Sequence, residues 1–147
     1  MKHSHFLEKL DDTKIVSAIH DAENKSSGEI RVFVSRRTPV NGPETLALAQ
    51  ETFAKLGMSE TKHRNGVLLF FAPDTQQFAI VGDSGVHEKC GDSFWQEVAA
   101  ALSDLLKQGH FTAAVLAGIH KAGAVLAEHF PRDRDDRNEL PDRVERD

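Results

Sequence analysis

The segment Gly66–Ala72, with the sequence GVLLFFA, constrains the fold of this chain more than any other. Its residues are apolar at consecutive positions, so both faces of an extended chain would have to be buried. This is typical of a central strand in a sheet that carries helices on both sides. A PDTQ turn and a second apolar segment, Gln77–Gly82, follow directly and predict an antiparallel hairpin.

One more strand and four helices are predicted around this hairpin. Apolar residues alternate over residues 29–35, which indicates a strand. Helical spacing of apolar residues predicts helices over about residues 12–25, 46–56, 93–108 and 112–129, with a glycine-rich loop over 82–91 before the third. A helical crossover joins the first two strands, so they are expected to be parallel. The predicted fold is α/β, an α/β/α sandwich with a short mixed sheet covered by helices on both faces.

The chain divides into a folded body, residues 5–130, and a charged C-terminal tail, residues 131–147. The tail holds 5 Arg and 7 Asp or Glu, with Leu140 and Val144 as its sizeable apolar residues. Burial of so little apolar surface cannot offset the conformational entropy that the tail would lose on ordering. We therefore expect the tail to be mobile or loosely docked. An alternative is a docking peptide in which Leu140 and Pro141 form a stiff apolar anchor for a protein partner.

Composition excludes several classes of protein. The net charge of −5 argues against binding to nucleic acid through phosphate neutralisation. The single cysteine, Cys90, excludes an internal disulfide framework and a cysteine-rich zinc site. The longest uninterrupted apolar run, residues 67–72, is too short for a transmembrane segment, and no secretory signal is visible. A cytoplasmic location is therefore expected.

The predicted topology gathers oxygen-bearing side chains at one end of the sheet. The start of the first strand carries Glu29, the start of the second follows Asn65, and the third ends before Asp83. We call this the acidic end of the sheet; the glycine-rich loop adds Glu88 beside it, and Asp92 follows directly after the loop. Carboxylate and amide oxygens suit a hard cation, so these five residues predict a calcium site. The alternative is that the aspartates only cap a turn and a helix.

Two single residues near this loop have weaker functional interpretations. Cys90 lies close to Lys89 and a predicted helix start, an environment that could lower a thiol pKa, but no histidine partner follows at a diagnostic distance. Trp95 is expected in the core, with a partner-binding groove as the alternative.

Several separated motifs, in order, resemble the TPM-domain family. They are residues 27–32 (SGEIRV), 64–69 (RNGVLL), 79–85 (AIVGDSG) and 94–95 (FW), and then HFP at 129–131 before NELPD at 138–142. This family includes thylakoid-lumen proteins of photosystem II repair and many bacterial proteins. The resemblance implies an α/β/α sandwich, an acidic end that binds calcium in some members, and acid phosphatase activity in the plant branch. Its motifs imply site residues at Asp83 and Asp92, with Glu29 and Asn65 nearby.

The sequence departs from this family in two respects. Many members carry a signal or membrane anchor that is not seen here, and Arg64 stands where many relatives have an acid before Asn-Gly. Three functions are therefore kept open. The chain is expected to be a non-catalytic binding module with a calcium site. The alternatives are a phosphomonoesterase, with Asp83 as nucleophile or general acid and Arg64 holding a phosphate oxygen, and a protein-interaction domain.

Overall fold

The computed structural model describes residues 6, 10–132 and 144–147. The main helices are α1 (Asp12–Asn24), α2 (Gly42–Lys55), α3 (Ser84–Lys107) and α4 (Phe111–His129), and the strands are β1 (Glu29–Val34), β2 (Gly66–Ala72), β3 (Gln77–Gly82) and β4 (Val144–Arg146). The strands form one sheet in the order β3-β2-β1-β4. The predicted α/β/α sandwich with a mixed sheet is confirmed.

The register of the sheet follows the predicted strand directions. β1 and β2 are parallel, with Glu29 opposite Gly66, whereas β2 and β3 are antiparallel, with Val67 opposite Gly82. Every residue of β2 is buried, as expected for a strand that is apolar on both faces.

The two faces of the sheet pack against separate hydrophobic cores. Alternate residues of the strands, such as Val32 and Leu69, face a core that contains residues of α1, α3 and α4. The opposite residues, such as Phe33 and Phe70, face a smaller core with Phe53 of α2. The rings of Phe33 and Phe70 in this second core are stacked with centroids 5.8 Å apart. The alternation along each strand thus divides its side chains between the two helical layers.

The start of the third helix differs from the prediction. The segment expected to be a glycine-rich loop is helical from Ser84, and Asp83 is its N-cap, whose side chain accepts a hydrogen bond from the Ser84 N–H. Asp92, predicted as a cap, lies instead beyond a kink at Gly91, where φ is 72°. The earlier start has a physical reason, because it buries Val86 completely in the core next to the cap.

The C-terminal residues contain a strand that the sequence did not predict. Val144–Arg146 forms β4, which pairs in parallel with β1 so that Val144 lies opposite Val32. A strand of three mainly charged residues has no local signature, and its formation depends on the distant partner strand. The predicted partner anchors Leu140 and Pro141 lie outside the described residues.

Helix α4 satisfies the length and composition of a membrane span, with a mean hydropathy of 1.2. In this structure α4 packs against α1 and α3. Its buried residues include Val115, Ile119 and Leu126, which all belong to the larger core.

Candidate cation site

The acidic end of the sheet is formed by three adjacent strand ends. The Glu29 N–H donates a hydrogen bond to the Asn65 carbonyl oxygen at 3.4 Å, and the Asp83 N–H donates to the Gly66 carbonyl oxygen at 3.0 Å. Glu29 and Asp83 therefore lie on opposite sides of Asn65 and Gly66, at the start of β2. The structure thus brings three of the five predicted ligands to one end of the sheet.

Asn65 has an amide oxygen that no described residue satisfies. The residue is completely buried, and its Nδ2 donates to Ser27 Oγ at 3.1 Å. Its Oδ1 is buried and has no hydrogen-bond partner within the described part of the chain. A buried acceptor without a partner costs about 1–3 kcal/mol, so such atoms usually have a ligand, an ion or a water.

Asp83 presents a second oxygen of the same kind. Its Oδ1 accepts the capping hydrogen bond from the Ser84 N–H at 2.7 Å, while Oδ2 is buried without a partner among the residues described. Glu29, a residue that is only 2% exposed, lies at the start of β1, on the other side of β2. Glu29, Asn65 and Asp83, which bear two carboxylates and one amide oxygen, therefore lie at one end of the sheet.

Thr61 is a candidate that sequence reasoning missed. It is buried in the turn before β2, and its Oγ1 has no hydrogen-bond partner in the described chain. Its carbonyl oxygen accepts from the Arg64 N–H at 3.3 Å, which places Thr61 one turn before Asn65. A lone threonine in a turn carries no sequence signal for ligand binding.

The remaining predicted ligands, Glu88 and Asp92, lie on exposed positions of α3. In residues 6, 10–132 and 144–147, no group of three or more His, Cys, Asp and Glu side chains lies close enough to hold a metal. Their participation in a cation site therefore stays a prediction.

Two glycines bring the start of α3 close to the acidic end. A Cβ on Gly85 would lie 2.5 Å from the His63 carbonyl oxygen and 2.7 Å from that of Arg64. The Gly85 N–H also donates to the Arg64 carbonyl oxygen at 2.9 Å. A Cβ on Gly82 would collide with the indole of Trp95, so this half-buried ring lies directly over the end of β3. Trp95 also contacts His87, with ring centroids 5.6 Å apart.

The environment of Cys90 does not favour an activated thiol. Partial burial raises the pKa of the Cys90 thiol, the charge of Glu128 raises it further, and Lys89 only partly opposes them. Lys89 is engaged elsewhere, because its Nζ donates to the His129 carbonyl oxygen and lies 4.5 Å from the Phe130 ring centroid. The expected lowering of the thiol pKa is therefore wrong.

A cavity of about 420 Å³ lies away from the acidic end, near the other end of β3. Its walls include Phe71, Phe78 and Phe111, and its charged lining residue is Lys107. It contains no carboxylate, so it offers no alternative position for a cation among the described residues.

Comparisons with known proteins agree with this architecture. The family model of the TPM domain matches residues 1–125, and the chain therefore belongs to the TPM-domain family. The chain is similar to the BA42 protein of the psychrophilic bacterium Bizionia argentinensis, whose NMR structure has a TM-score of 0.84 and 38% sequence identity. That similarity covers 92% of each chain.

Two more distant structures share the fold alone. The N-terminal domain of the cg2496 protein from Corynebacterium glutamicum is 20% identical, with a TM-score of 0.58 over 78% of this chain and 71% of that one. The N-terminal domain of a P. gingivalis protein is also 20% identical, with a TM-score of 0.57 over 80% and 76% of the two chains. No functionally curated protein gives a significant match.

Proposed function

We propose that this TPM domain is a non-catalytic binding module and that its acidic end binds calcium. The observation that carries the proposal is the completely buried Asn65, whose Oδ1 has no hydrogen-bond partner within the described residues. Asp83, which follows the adjacent strand β3, has a buried Oδ2 that likewise has no hydrogen-bond partner within the described residues, and Glu29 is buried at the start of β1 on the other side.

The chemistry of these oxygen ligands fits a hard cation. Calcium binds carboxylate, carbonyl and amide oxygens with flexible geometry, and it would neutralise carboxylates that are costly to bury together. Glu29, Asn65 and Asp83 would hold the ion, with the Thr61 hydroxyl as a further candidate ligand. Glu88 and Asp92 would join only from the exposed side of α3. The ion would supply charge neutralisation and would order the junction between the sheet and α3.

Calcium titration by calorimetry, together with fluorescence, tests this proposal. The chain contains one tryptophan and no tyrosine, so its emission comes from Trp95, which lies over the strand that leads into Asp83. We expect saturable heat and a change in Trp95 emission with the same midpoint. A bound ion at a hundredfold excess over its Kd should stabilise the fold by about 2.7 kcal/mol.

A matched pair of variants assigns the site. Asp83→Asn keeps an N-cap acceptor but removes the negative charge, and we expect calcium affinity to fall at least tenfold. Asp11→Asn makes the same change at the N-cap of α1, where Asp11 accepts from the Lys14 N–H, and should leave affinity unchanged. An absence of heat, with a melting temperature that a chelator does not alter, would contradict the proposal. Equal affinities of the two variants would remove Asp83 from it.

A second candidate function, phosphomonoester hydrolysis, is favoured by the position of Arg64. This exposed residue, with φ of 51°, is joined to the start of α3 by the Gly85 hydrogen bond and so lies near Asp83. Arg64 would hold a phosphate oxygen, and Asp83 would act as nucleophile or general acid. Release of p-nitrophenol from p-nitrophenyl phosphate should then be lost in Asp83→Asn. Activity that survives this substitution would belong to another site or to a contaminant.

A further inference from the structure

The outer edge of β1 is covered by the chain's own C-terminal residues. Val32, Phe33 and Val34 pair with Val144, Glu145 and Arg146 in a parallel ladder. Without this segment, these residues of β1 would present unpaired backbone groups, which is the kind of edge that binds an extended peptide.

Two side-chain carboxylates anchor the segment beyond the backbone ladder. Glu145 Oε1 lies 2.5 Å from Nη2 of Arg31, a side chain that is only 4% exposed. Asp147 accepts hydrogen bonds from Ser35 Oγ at 2.6 Å and from the Arg36 N–H at 2.9 Å. A buried guanidinium needs a paired carboxylate, because an uncompensated buried charge is strongly destabilising.

These contacts define a sequence pattern that the outer edge of β1 can recognise. Val144 packs against the larger core, while Glu145 and Asp147, two residues apart, reach their partners along β1. Arg146 is exposed, so its position tolerates variation. The pattern is an apolar residue, a carboxylate, any residue and a second carboxylate.

We propose that the outer edge of β1 is a peptide-recognition groove, which the chain's C-terminal segment 144–147 fills as an intramolecular ligand. The partner that fits it is an extended acidic peptide with the same pattern, pairing in parallel with β1. Arg31 selects the first carboxylate, and the Ser35 hydroxyl with the Arg36 N–H selects the second. A tethered segment has an effective concentration of about millimolar, so the groove is closed in the intact chain unless the segment is weakened.

Binding of a labelled peptide to full-length variants tests this proposal. The probe is an acetylated, fluorescein-labelled peptide of residues 142–147 (DRVERD), followed by anisotropy. The double variant Glu145→Gln, Asp147→Asn weakens the intramolecular ligand and should bind the peptide at least tenfold more tightly than the unmodified chain. A probe peptide carrying the Glu145→Gln change should bind the same double variant at least tenfold more weakly.

Glu97→Gln is the matched control. It removes an exposed carboxylate of α3, a helix that packs against α4 and β3, so it should bind the peptide as weakly as the unmodified chain. If the double variant lacks a cooperative unfolding transition, the single Asp147→Asn variant, which leaves the Arg31 ion pair intact, gives the same comparison. The proposal is overturned if the folded variant shows no saturable binding, if the control binds equally well, or if the altered peptide binds as tightly as the original. A size increase of the double variant without peptide would also overturn the proposal, because a second copy would then occupy the outer edge of β1.

Discussion

Replacing Gly85 by alanine should destabilise the protein, although alanine is the better helix former. Gly85 lies in the first turn of α3, where an added Cβ would approach two backbone carbonyl oxygens, of His63 and Arg64, to within 2.5 and 2.7 Å. Backbone atoms cannot rotate away as a flexible side chain can. The start of α3 would therefore have to move away from the turn that precedes β2.

The two opposing contributions can be compared. Overpacking of this kind costs about 1–3 kcal/mol, and a clash with two backbone atoms indicates the upper part of that range. Alanine in place of glycine returns about 1 kcal/mol of helix propensity. The net loss is about 2 kcal/mol, which corresponds to a melting temperature lowered by about 6 °C for a domain of this size.

Thermal and urea denaturation, followed by circular dichroism, measure this change. Gly42→Ala is the control, because nothing lies within 4 Å of an added Cβ at that helical position. It should raise stability by about 0.4–1 kcal/mol by restricting the unfolded chain. A Gly85→Ala variant as stable as the unmodified protein, or a shift of both variants in the same direction, would contradict the predicted backbone clash.

Three further predictions test the packing and the thiol. Gly82→Ala should displace the indole of Trp95 and shift its fluorescence emission to longer wavelength, and unchanged emission would contradict the contact. Leu69→Ala, in the completely buried centre of β2, should cost about 2–5 kcal/mol in urea denaturation. The raised pKa of Cys90 should keep its alkylation by iodoacetamide slow at neutral pH, and Glu128→Gln should move the midpoint of the rate to lower pH. A midpoint that Glu128→Gln leaves in place would exclude that charge as a cause.

The thiol also gives a pH dependence of stability with a defined sign. The pKa of Cys90 is raised in the folded chain, chiefly because partial burial disfavours the thiolate. The Cys90 thiol therefore ionises at a lower pH in the unfolded chain than in the folded chain. The resulting contribution to stability is complete below the unfolded-state pKa and is lost as the pH rises through the folded-state pKa.

The local sequence predicted the three-stranded part of the sheet because each element has its own periodicity. β2 is apolar at consecutive positions, and its neighbours lie on either side of it with the predicted directions. The helix between β1 and β2 imposes a parallel pair, and the short turn after Ala72 imposes an antiparallel one. The placement of Glu29, Asn65 and Asp83 at one end of the sheet follows from these directions.

The predicted start of α3 was wrong because two aspartates, Asp83 and Asp92, are both suitable N-caps. Asp83 and Asp92 both precede apolar residues at helical spacing, and local propensity does not distinguish them. The tertiary structure does, since Val86 enters the core and Gly85 fits against the Arg64 carbonyl oxygen. The kink at Gly91 then divides α3 into two helical segments, one that follows Asp83 and one that contains Asp92.

The amino-acid pattern alone thus determined the architecture and the order of the central strands, because burial periodicity and chain handedness are local properties. Only the tertiary structure decided that β4 completes the sheet, since Arg31 and Glu145 are 114 residues apart and neither indicates the other in sequence. The same holds for the acidic end. Residue types predicted oxygen ligands, but the folded chain decided that the free oxygens of Asn65 and Asp83 are buried without hydrogen-bond partners among the described residues. Hydrogen-bond satisfaction depends on every neighbouring atom, and only the packed structure specifies those neighbours.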